Sequence, residues 1–160
     1  MVSQLKIDYI DRLIEESLSE GDDTIELKGK FIGDEGVEAL IQSSKLVNIE
    51  DLDLSNNSIT WRGAVQLFQC KKFKNLKRLY LNDNNIANKG AIALAGASFL
   101  NGLSVLDIHF NNIDTIGGMA IVKCAHFQKL QVLNLQENQV GDDALMTLAK
   151  NPSFGNIRKL

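Results

Sequence analysis

The sequence predicts an α/β solenoid, in which short parallel strands form a concave sheet and helices cover the convex side. An eleven-residue pattern of apolar residues with one asparagine recurs every 27 residues, and a fixed period of this size is typical of stacked repeats. Within each unit the apolar spacing changes from two residues to three or four, which indicates a strand followed by a helix. The chain has one proline and 44% apolar residues, a composition that favours an ordered core.

The pattern begins at Ile49, Leu76, Leu103, Leu130 and Ile157, and its four full copies read IEDLDLSNNSI, LKRLYLNDNNI, LSVLDIHFNNI and LQVLNLQENQV. These segments resemble the leucine-rich repeat family. A 27-residue unit with glycine at its fifteenth position is similar to the ribonuclease-inhibitor-like branch of that family. The resemblance implies a curved α/β solenoid that binds proteins on its concave sheet, and it implies no enzymatic activity.

We expect a single domain over residues 1–160. Residues 1–21 are predicted to form an N-terminal capping helix whose apolar stripe includes Leu5, with Gly21 as a stop. The first repeat is degenerate, with Asp22 in place of an apolar residue and Lys30 in place of the asparagine, as is common at the end of an array. The predicted repeats are 22–48, 49–75, 76–102, 103–129 and 130–156, and 157–160 begin a truncated sixth.

Each repeat is predicted to bury its alternating leucines and to turn the residues between them toward solvent. Its helix should bury residues at i, i+3 and i+4, which in the last repeat are Leu145, Leu148 and Ala149. The residues expected to form a stacked apolar spine, where the chain returns to the next strand, are Phe73, Leu100, Phe127 and Phe154.

Two polar or small columns complete the repeat. The asparagines at 57, 84, 111 and 138 follow each strand, where the backbone still needs hydrogen-bond partners. The family resemblance implies that they form a buried ladder. The glycines at 36, 63, 90 and 117 are expected to permit a tight entry into the helix.

Several function classes are disfavoured. The sequence contains no run of 18 apolar residues and therefore predicts no membrane span. Acidic residues interrupt the N-terminal helix, whereas the apolar core of a signal peptide is uninterrupted. Cys70 and Cys124 occupy the same column two repeats apart, about 16–20 Å, which is too far for a disulfide and offers no zinc cluster. We therefore expect a cytoplasmic protein without metal or cofactor, or a secreted effector that acts in a host cytoplasm.

The concave face comprises positions 2, 3, 5, 7 and 8 of each repeat, and it is acidic. Eight acidic residues oppose three basic ones there, a net −5 against −3 for the whole chain. Such a face should attract a basic protein surface and repel nucleic acid. Alternatively, the charges only keep an exposed sheet in solution. The candidate binding residues are Asp51, Asp53, Trp61, Arg78, Tyr80, Asp107, His109, Phe110 and Asn134.

Large side chains lie at the middle of this surface. Tyr80, His109 and Phe110 occupy it, and Trp61 lies on the adjoining rim; aromatic residues are enriched among binding hot spots. Phe110 is the strongest anomaly, because its column is polar or glycine in every other repeat. The alternatives are that Phe110 folds over a neighbouring loop and that Trp61 packs on its own loop.

Catalysis is not expected. Ser55 and His109 share a column but lie two strands apart, about 10 Å, which is beyond the reach of a nucleophile and its base. His126 has no evident partner, and three neighbouring lysines, Lys71, Lys72 and Lys74, are typical of a solvated face rather than a phosphate site.

The sequence therefore predicts a protein-binding module, which the family resemblance extends to occlusion or regulation of a partner enzyme. The alternative is a structural scaffold, or a fragment of a larger receptor or bacterial effector. The stack ends at residues 157–160 without a polar cap, which indicates either a fragment or a homodimer joined through this end.

Overall fold

The computed structural model describes residues 2–18, 23–46 and 48–160, which form one array of alternating strands and helices. The strands are β1 (Thr24–Glu26), β2 (Asp51–Asp53), β3 (Arg78–Tyr80), β4 (Val105–Asp107) and β5 (Val132–Asn134). The helices are α1 (Gln4–Leu18), α2 (Gly33–Gln42), α3 (Trp61–Gln69), α4 (Ala87–Gly96), α5 (Thr115–Lys123) and α6 (Asp142–Lys150). Short 3-10 turns follow three of the helices, at Lys71–Phe73, Ser98–Leu100 and Pro152–Phe154.

The five strands form one parallel sheet in sequence order, which confirms the predicted solenoid. Every residue of a strand pairs with the residue 27 positions later, for example Leu52 with Leu79. Beyond β5, Val132 forms a parallel bridge with Lys159, and Arg158 N–H donates to Gln131 O at 2.8 Å. The final residues therefore continue the pairing of the sheet by a single bridge.

The core lies between the sheet and the helices. The alternating apolar residues of each strand and its exit are buried, and Leu52 and Leu54 have no exposed surface. Consecutive helices pack side by side from α1 to α6. The predicted spine is confirmed, because all four of its residues are buried. At one end, α1 packs on β1 and α2, and Ser17 Oγ accepts the N–H of Glu26 at 2.7 Å. Helix α1 therefore covers the first repeat, as a cap should.

The asparagine ladder is also confirmed. Asn84 Oδ1 accepts the backbone N–H groups of Asn57 at 3.1 Å and Ile59 at 2.9 Å. Its amide donates to Leu54 O at 3.0 Å and Leu81 O at 2.9 Å. Each asparagine thereby satisfies backbone groups of two repeats at the point where the strand ladder stops. The N–H of one asparagine also donates to the side chain of the next, as Asn57 does to Asn84 and Asn111 does to Asn138.

The glycine column serves a different purpose from the one predicted. None of its four members has a positive φ, so backbone freedom is not what the fold requires there. At Gly117, an added Cβ would lie 2.6 Å from Asn88 Oδ1 and 2.7 Å from Ile113 Cγ2. The glycines are needed because neighbouring groups approach too closely for a methyl group.

The helix starts alternate between two designs, giving a 54-residue period. In the second and fourth repeats, Thr60 and Asp114 cap the helices α3 and α5 by accepting a backbone N–H. In the first and third repeats, Asp34 and Asn88 instead reach across to the following repeat. Asp34 Oδ1 accepts Thr60 N–H at 2.7 Å and Gly63 N–H at 3.1 Å, and Asn88 Oδ1 makes the equivalent bonds to the start of α5.

Three apolar residues expected to be buried are exposed. Leu5 is 82% exposed, because it precedes Ile10 by five residues and lies about 140° around α1 from the buried stripe. Leu145 is 46% exposed and Ala149 is also exposed, because no described element packs on the outer side of α6. The predicted stop at Gly21 and the substitution at Asp22 lie outside the described residues.

Candidate protein-binding surface

Two rows of side chains run across the concave face at right angles to the strands. The register confirms that like-numbered positions are neighbours. One row, at position 3, contains Thr24, Asp51, Arg78, Val105 and Val132; the other, at position 5, contains Glu26, Asp53, Tyr80, Asp107 and Asn134. Parallel strands lie about 4.8 Å apart, so Asp53, Tyr80 and Asp107 form a continuous strip in the middle of the sheet.

Part of the acidic charge is neutralised within the chain. Arg78 forms an ion pair with Asp51, and the hydrogen bond raises the pKa of the Arg78 guanidinium above its ordinary value. Lys77 Nζ lies 2.5 Å from Glu50 Oε2. Asp51 is buried, so its carboxylate is not available to a partner.

His109 lies within a polar cluster that joins the third, fourth and fifth repeats. Its Nδ1 lies 2.6 Å from Asp107 Oδ1, and its Nε2 lies 3.8 Å from Asp83 Oδ2. The amide of Asn134 donates to Asp107 Oδ2 at 3.2 Å. These contacts fix the imidazole in one orientation next to the aromatic ring of Phe110, whose centroid is 5.8 Å away.

The prediction that side chains at position 7 face solvent is wrong for two residues. Ser55 and Asn82 are buried, and Ser55 Oγ donates to Asn82 Oδ1. The backbone hydrogen bonds between repeats continue through this position, as from Asn56 N–H to Asn82 O at 2.9 Å, so short polar side chains there can bond to each other across the strands. Ser55 is therefore engaged in a structural contact and does not face a substrate.

Phe110 has an unusual backbone as well as an exposed ring. Its φ is +50°, and the equivalent residues of every repeat are also left-handed: Gly29, Asn56, Asp83 and Glu137. The column thus requires a conformation that glycine and asparagine adopt readily and that bulky residues avoid. Phe110 is nevertheless 51% exposed, so burial of its ring does not offset the conformational free energy that the left-handed backbone costs. Tyr80, by contrast, is only partly exposed, and burial raises the pKa of its hydroxyl.

Trp61 lies at the start of α3, on the rim beside the concave face, and is half-buried. Its ring is flanked by two cations, with Lys89 Nζ 4.2 Å and Arg62 Cζ 4.8 Å from the ring centroid. Contacts of this kind contribute about 0.5–1 kcal/mol when exposed. The neighbouring repeat therefore supplies part of the packing around Trp61, through Lys89.

Phe31, which is not among the candidate binding residues from the sequence, is 76% exposed with φ of +52°. It lies on the same rim in the first repeat. A column comparison could have found it, since the equivalent residues Ser58, Asn85, Asn112 and Gln139 are all polar. Phe31 and Phe110 are thus two exposed aromatic rings in strained conformations on one side of the solenoid.

Other kinds of site have little support. Within the described ranges, no three His, Cys, Asp or Glu side chains are grouped so as to hold a metal ion. None of the helices in these ranges combines the length and apolar character needed to cross a bilayer. Cys70 and Cys124 are both free thiols, and burial raises the pKa of Cys124, which makes that thiol a poor nucleophile at neutral pH.

His126 predicts a pH dependence of stability. Burial lowers the pKa of its imidazole, and its Nε2 is buried without a hydrogen-bond partner. The unfolded chain therefore binds this proton more readily than the folded one, and the free energy of unfolding should fall as the pH drops below about 6.5. Urea unfolding at pH 7.5, 6.5 and 5.5 should show a shallower decline for His126→Leu than for the wild type. Parallel declines would contradict this assignment.

Comparison with known proteins agrees with the repeat pattern. A family model described as Leucine Rich repeat matches residues 74–95, 103–122 and 126–149, and a second, described as Leucine Rich Repeat, matches 48–70. No curated protein sequence matches the chain.

Solved structures that share the fold include the following two. The tropomodulin C-terminal domain of Caenorhabditis elegans is 12% identical with a TM-score of 0.65, over 92% of both chains. The structure titled leiomodin-1 actin-binding site 2 is 19% identical with a TM-score of 0.69, over 92% of this chain and 88% of the other. At such identities the likeness concerns the fold alone, and it does not single out the ribonuclease-inhibitor-like branch.

Proposed function

Because the chain belongs to the leucine-rich repeat family, we propose that it binds a partner protein across the concave face and the rim that carries Phe110. The observation that supports this most strongly is Phe110 itself. A phenylalanine with φ of +50° and half of its surface in water costs stability without filling the core. Strained residues of this kind cluster at functional sites. An exposed aromatic ring in a fixed position is also a typical binding anchor.

The charges that remain available favour a basic partner. Among the described residues, Glu26, Asp53 and Glu137 form no ion pair, and they lie on or beside the strip that contains Tyr80. Asp51 and Glu50 are neutralised by their own basic neighbours. Lysine or arginine side chains of the partner would therefore contact the free carboxylates at position 5 and at the ends of the strands. They would not contact position 3, where Asp51 is already paired.

Several finer assignments are part of this proposal. The Asp107–His109 pair faces another carboxylate, Asp83, rather than a hydroxyl or thiol, so binding is a better assignment than catalysis. Occlusion of a partner enzyme is one form that binding would take, consistent with the ribonuclease-inhibitor-like branch. The two free thiols suit a cytoplasmic location. The repeat boundaries and the single domain over 1–160 stay predictions.

The test is a binding measurement with Phe110→Asn, a residue found at the same position of the second repeat. A partner is first captured with the wild-type chain, and purified actin is included because the leiomodin-1 structure is titled an actin-binding site. Isothermal titration calorimetry should then show a loss of at least about 30-fold in affinity, corresponding to about 2 kcal/mol for an anchor residue. The variant should also unfold at the same or a higher urea concentration, because asparagine relieves the left-handed strain.

A matched control is Ile116→Ala, which truncates an apolar side chain of α5 on the helical side that is even more exposed than Phe110. This change should leave affinity unaltered. If Phe110→Asn and Tyr80→Ala both bind the captured protein as tightly as the wild type, the concave-face assignment is wrong. A scaffold whose contacts lie elsewhere would then be the better interpretation, particularly if the Ile116 variant were the one to lose binding.

A further inference from the structure

A small basic cluster lies on the rim, around the only tryptophan of the chain, Trp61. Arg62, from the same helix, and Lys89, from the first turn of α4, both contact its ring. Lys89 Nζ lies 4.2 Å and Arg62 Cζ 4.8 Å from the ring centroid. Both basic residues are exposed, and among the described residues neither forms an ion pair. These three residues are called the rim cluster below.

The tryptophan of the rim cluster is not explained by the fold. The other residues of its column are Asp34, Asn88, Thr115 and Asp142, all short and polar. Asp34 and Asn88 accept hydrogen bonds from the helix start of the following repeat, which an indole cannot do because its nitrogen is a donor only. The ring of Trp61 is half-buried and therefore does not fill the core either.

The two cations of the rim cluster do not stabilise their own helices. Arg62 and Lys89 occupy equivalent positions in the first turns of α3 and α4, where a helix favours negative charge. The same position holds Glu35 in α2 and Asp143 in α6, whereas the first turns of α3 and α4 contain no acidic residue. The positive charge is therefore placed here against the preference of the helices.

No described carboxylate forms an ion pair with the rim cluster. Asp34 reaches the start of α3, but its Oδ1 accepts the N–H groups of Thr60 and Gly63, and its Oδ2 accepts the Thr60 hydroxyl at 2.6 Å. Arg62 Cζ and Lys89 Nζ lie no more than 9.0 Å apart, the sum of their distances to the one centroid. This separation is within the Debye length of about 10 Å at 0.1 M salt, so both charges act on the same ligand.

Carboxylate groups are the ligands that this arrangement fits. The planar guanidinium of Arg62 can bind a carboxylate through two parallel hydrogen bonds, and the ammonium of Lys89 supplies a second charge beside it. The indole of Trp61 already restricts both side chains, so less conformational entropy is lost when a ligand binds. Two neighbouring acidic side chains of a peptide would therefore be bound together.

A short acidic segment is a better ligand than a long polyanion. The concave face beside the rim carries free carboxylates, including Asp53 and Glu137, and these repel a nucleic-acid backbone that follows the rim. Two or three acidic side chains of a protein can contact Arg62 and Lys89 without passing along that face.

We propose that the rim cluster binds an acidic segment of a partner protein, with one carboxylate held by Arg62 and a neighbouring one held by Lys89. Trp61 is a positioning residue, which keeps the two cations together over its ring. The rim cluster is opposite in charge to the concave strip, and it uses different residues from those that would contact a basic partner. The proposal therefore stands whether or not the concave face binds a protein.

The test is a fluorescence titration, because all tryptophan emission of the chain comes from Trp61. The probe is an acetylated hexaglutamate peptide, first at a low salt concentration of about 20 mM. Its addition should change the emission saturably, with a Kd below about 1 mM, and a hexaglutamine peptide should cause no change. Raising the salt concentration to about 150 mM should weaken the binding, since both cations are exposed.

The double variant Arg62→Gln with Lys89→Gln should weaken peptide binding at least about tenfold. Its matched control is Lys71→Gln with Lys74→Gln, which removes the same charge from exposed lysines of the loop after α3 and should bind like the wild type. Trp61→Leu should weaken binding severalfold although both cations remain, as measured by isothermal titration calorimetry. The fold of each variant is checked by circular dichroism.

A wild-type chain whose emission does not change saturably overturns the proposal. So does an equal loss in the two double variants, since net charge alone would then explain the binding. Inorganic phosphate that binds as tightly as the peptide would indicate a simple anion site, and an oligothymidylate that binds more tightly would indicate a nucleic-acid site; either result overturns the acidic-segment assignment. Phe110→Asn should bind the peptide like the wild type, which separates this site from the concave-face function.

Discussion

Asn111→Ala is expected to lower the free energy of unfolding by more than about 3 kcal/mol, because each buried polar group left unpaired costs about 1–3 kcal/mol. Asn111 is completely buried. Its Oδ1 accepts Ile86 N–H at 3.1 Å, and its amide donates to Leu81 O at 2.8 Å and Ile108 O at 3.2 Å. Alanine removes all of these bonds at once. Urea unfolding followed by circular dichroism measures the difference.

The matched variant is Asn138→Ala. Asn138 makes similar bonds one repeat later, to Asn111, Ile113 and Ile108, but it is only partly buried. Water can therefore replace some of the lost partners, and the expected loss is smaller than at Asn111. Equal losses at the two positions would show that burial does not determine how much each asparagine contributes to the free energy of unfolding. A loss below about 1 kcal/mol at Asn111 would contradict its structural role.

Phe127→Ala should destabilise the chain by about 3–5 kcal/mol, the range for truncating a large buried aromatic side chain. Phe127 has no exposed surface. Its ring makes a tilted contact with His126, at 4.4 Å between ring centroids, and an edge-on contact with Phe154, at 6.2 Å. The cavity would lie between two repeats and would weaken their interface on both sides. Thermal and urea unfolding of the variant give the magnitude.

Phe154→Ala is the comparison for this change. Phe154 belongs to the same spine but lines a groove at the end of the array, so the surrounding chain can collapse or admit water more easily. Its truncation should cost less than that of Phe127. Because solenoids are stabilised mainly by contacts between neighbouring repeats, Phe127→Ala should also broaden the unfolding transition. A sharp transition with a loss below about 2 kcal/mol would argue against a continuous spine.

The regular part of the molecule could be predicted from the sequence because spacing alone determines it. A period of 27 residues places Asp53, Tyr80 and Asp107 in one row, and the structure confirms that row. The buried asparagines and the spine follow from the same repetition. Features that depend on a single neighbour could not be predicted in this way. The exposure of Leu145 depends on whether another element packs against α6, and the exposure of Leu5 depends on how α1 is rotated over β1.

The candidate site was predictable as a surface but not in its electrostatics. The sequence indicates which residues face outward, and Phe110 is conspicuous by column comparison. It does not indicate that Arg78 neutralises Asp51, or that Ser55 and Asn82 bond to each other instead of facing solvent. Those contacts depend on side-chain reach and on the curvature of the backbone. Phe31 is conspicuous only against its own column, which is polar in the other four repeats.

The alternation of helix starts has a consequence for how such an array can grow or shrink. Asp34 and Asn88 each accept a backbone N–H of the following repeat, from Thr60 and Asp114. In the second and fourth repeats the residue at this position makes no such bond to the next repeat among the described residues. Removing one repeat would place side by side two repeats that carry this acceptor or two that lack it, and would leave a helix terminus without its partner. Removing or duplicating two consecutive repeats would preserve all of these hydrogen bonds between neighbouring repeats. A pair of repeats, rather than a single one, is therefore the unit by which this hydrogen-bonding pattern is lengthened or shortened intact.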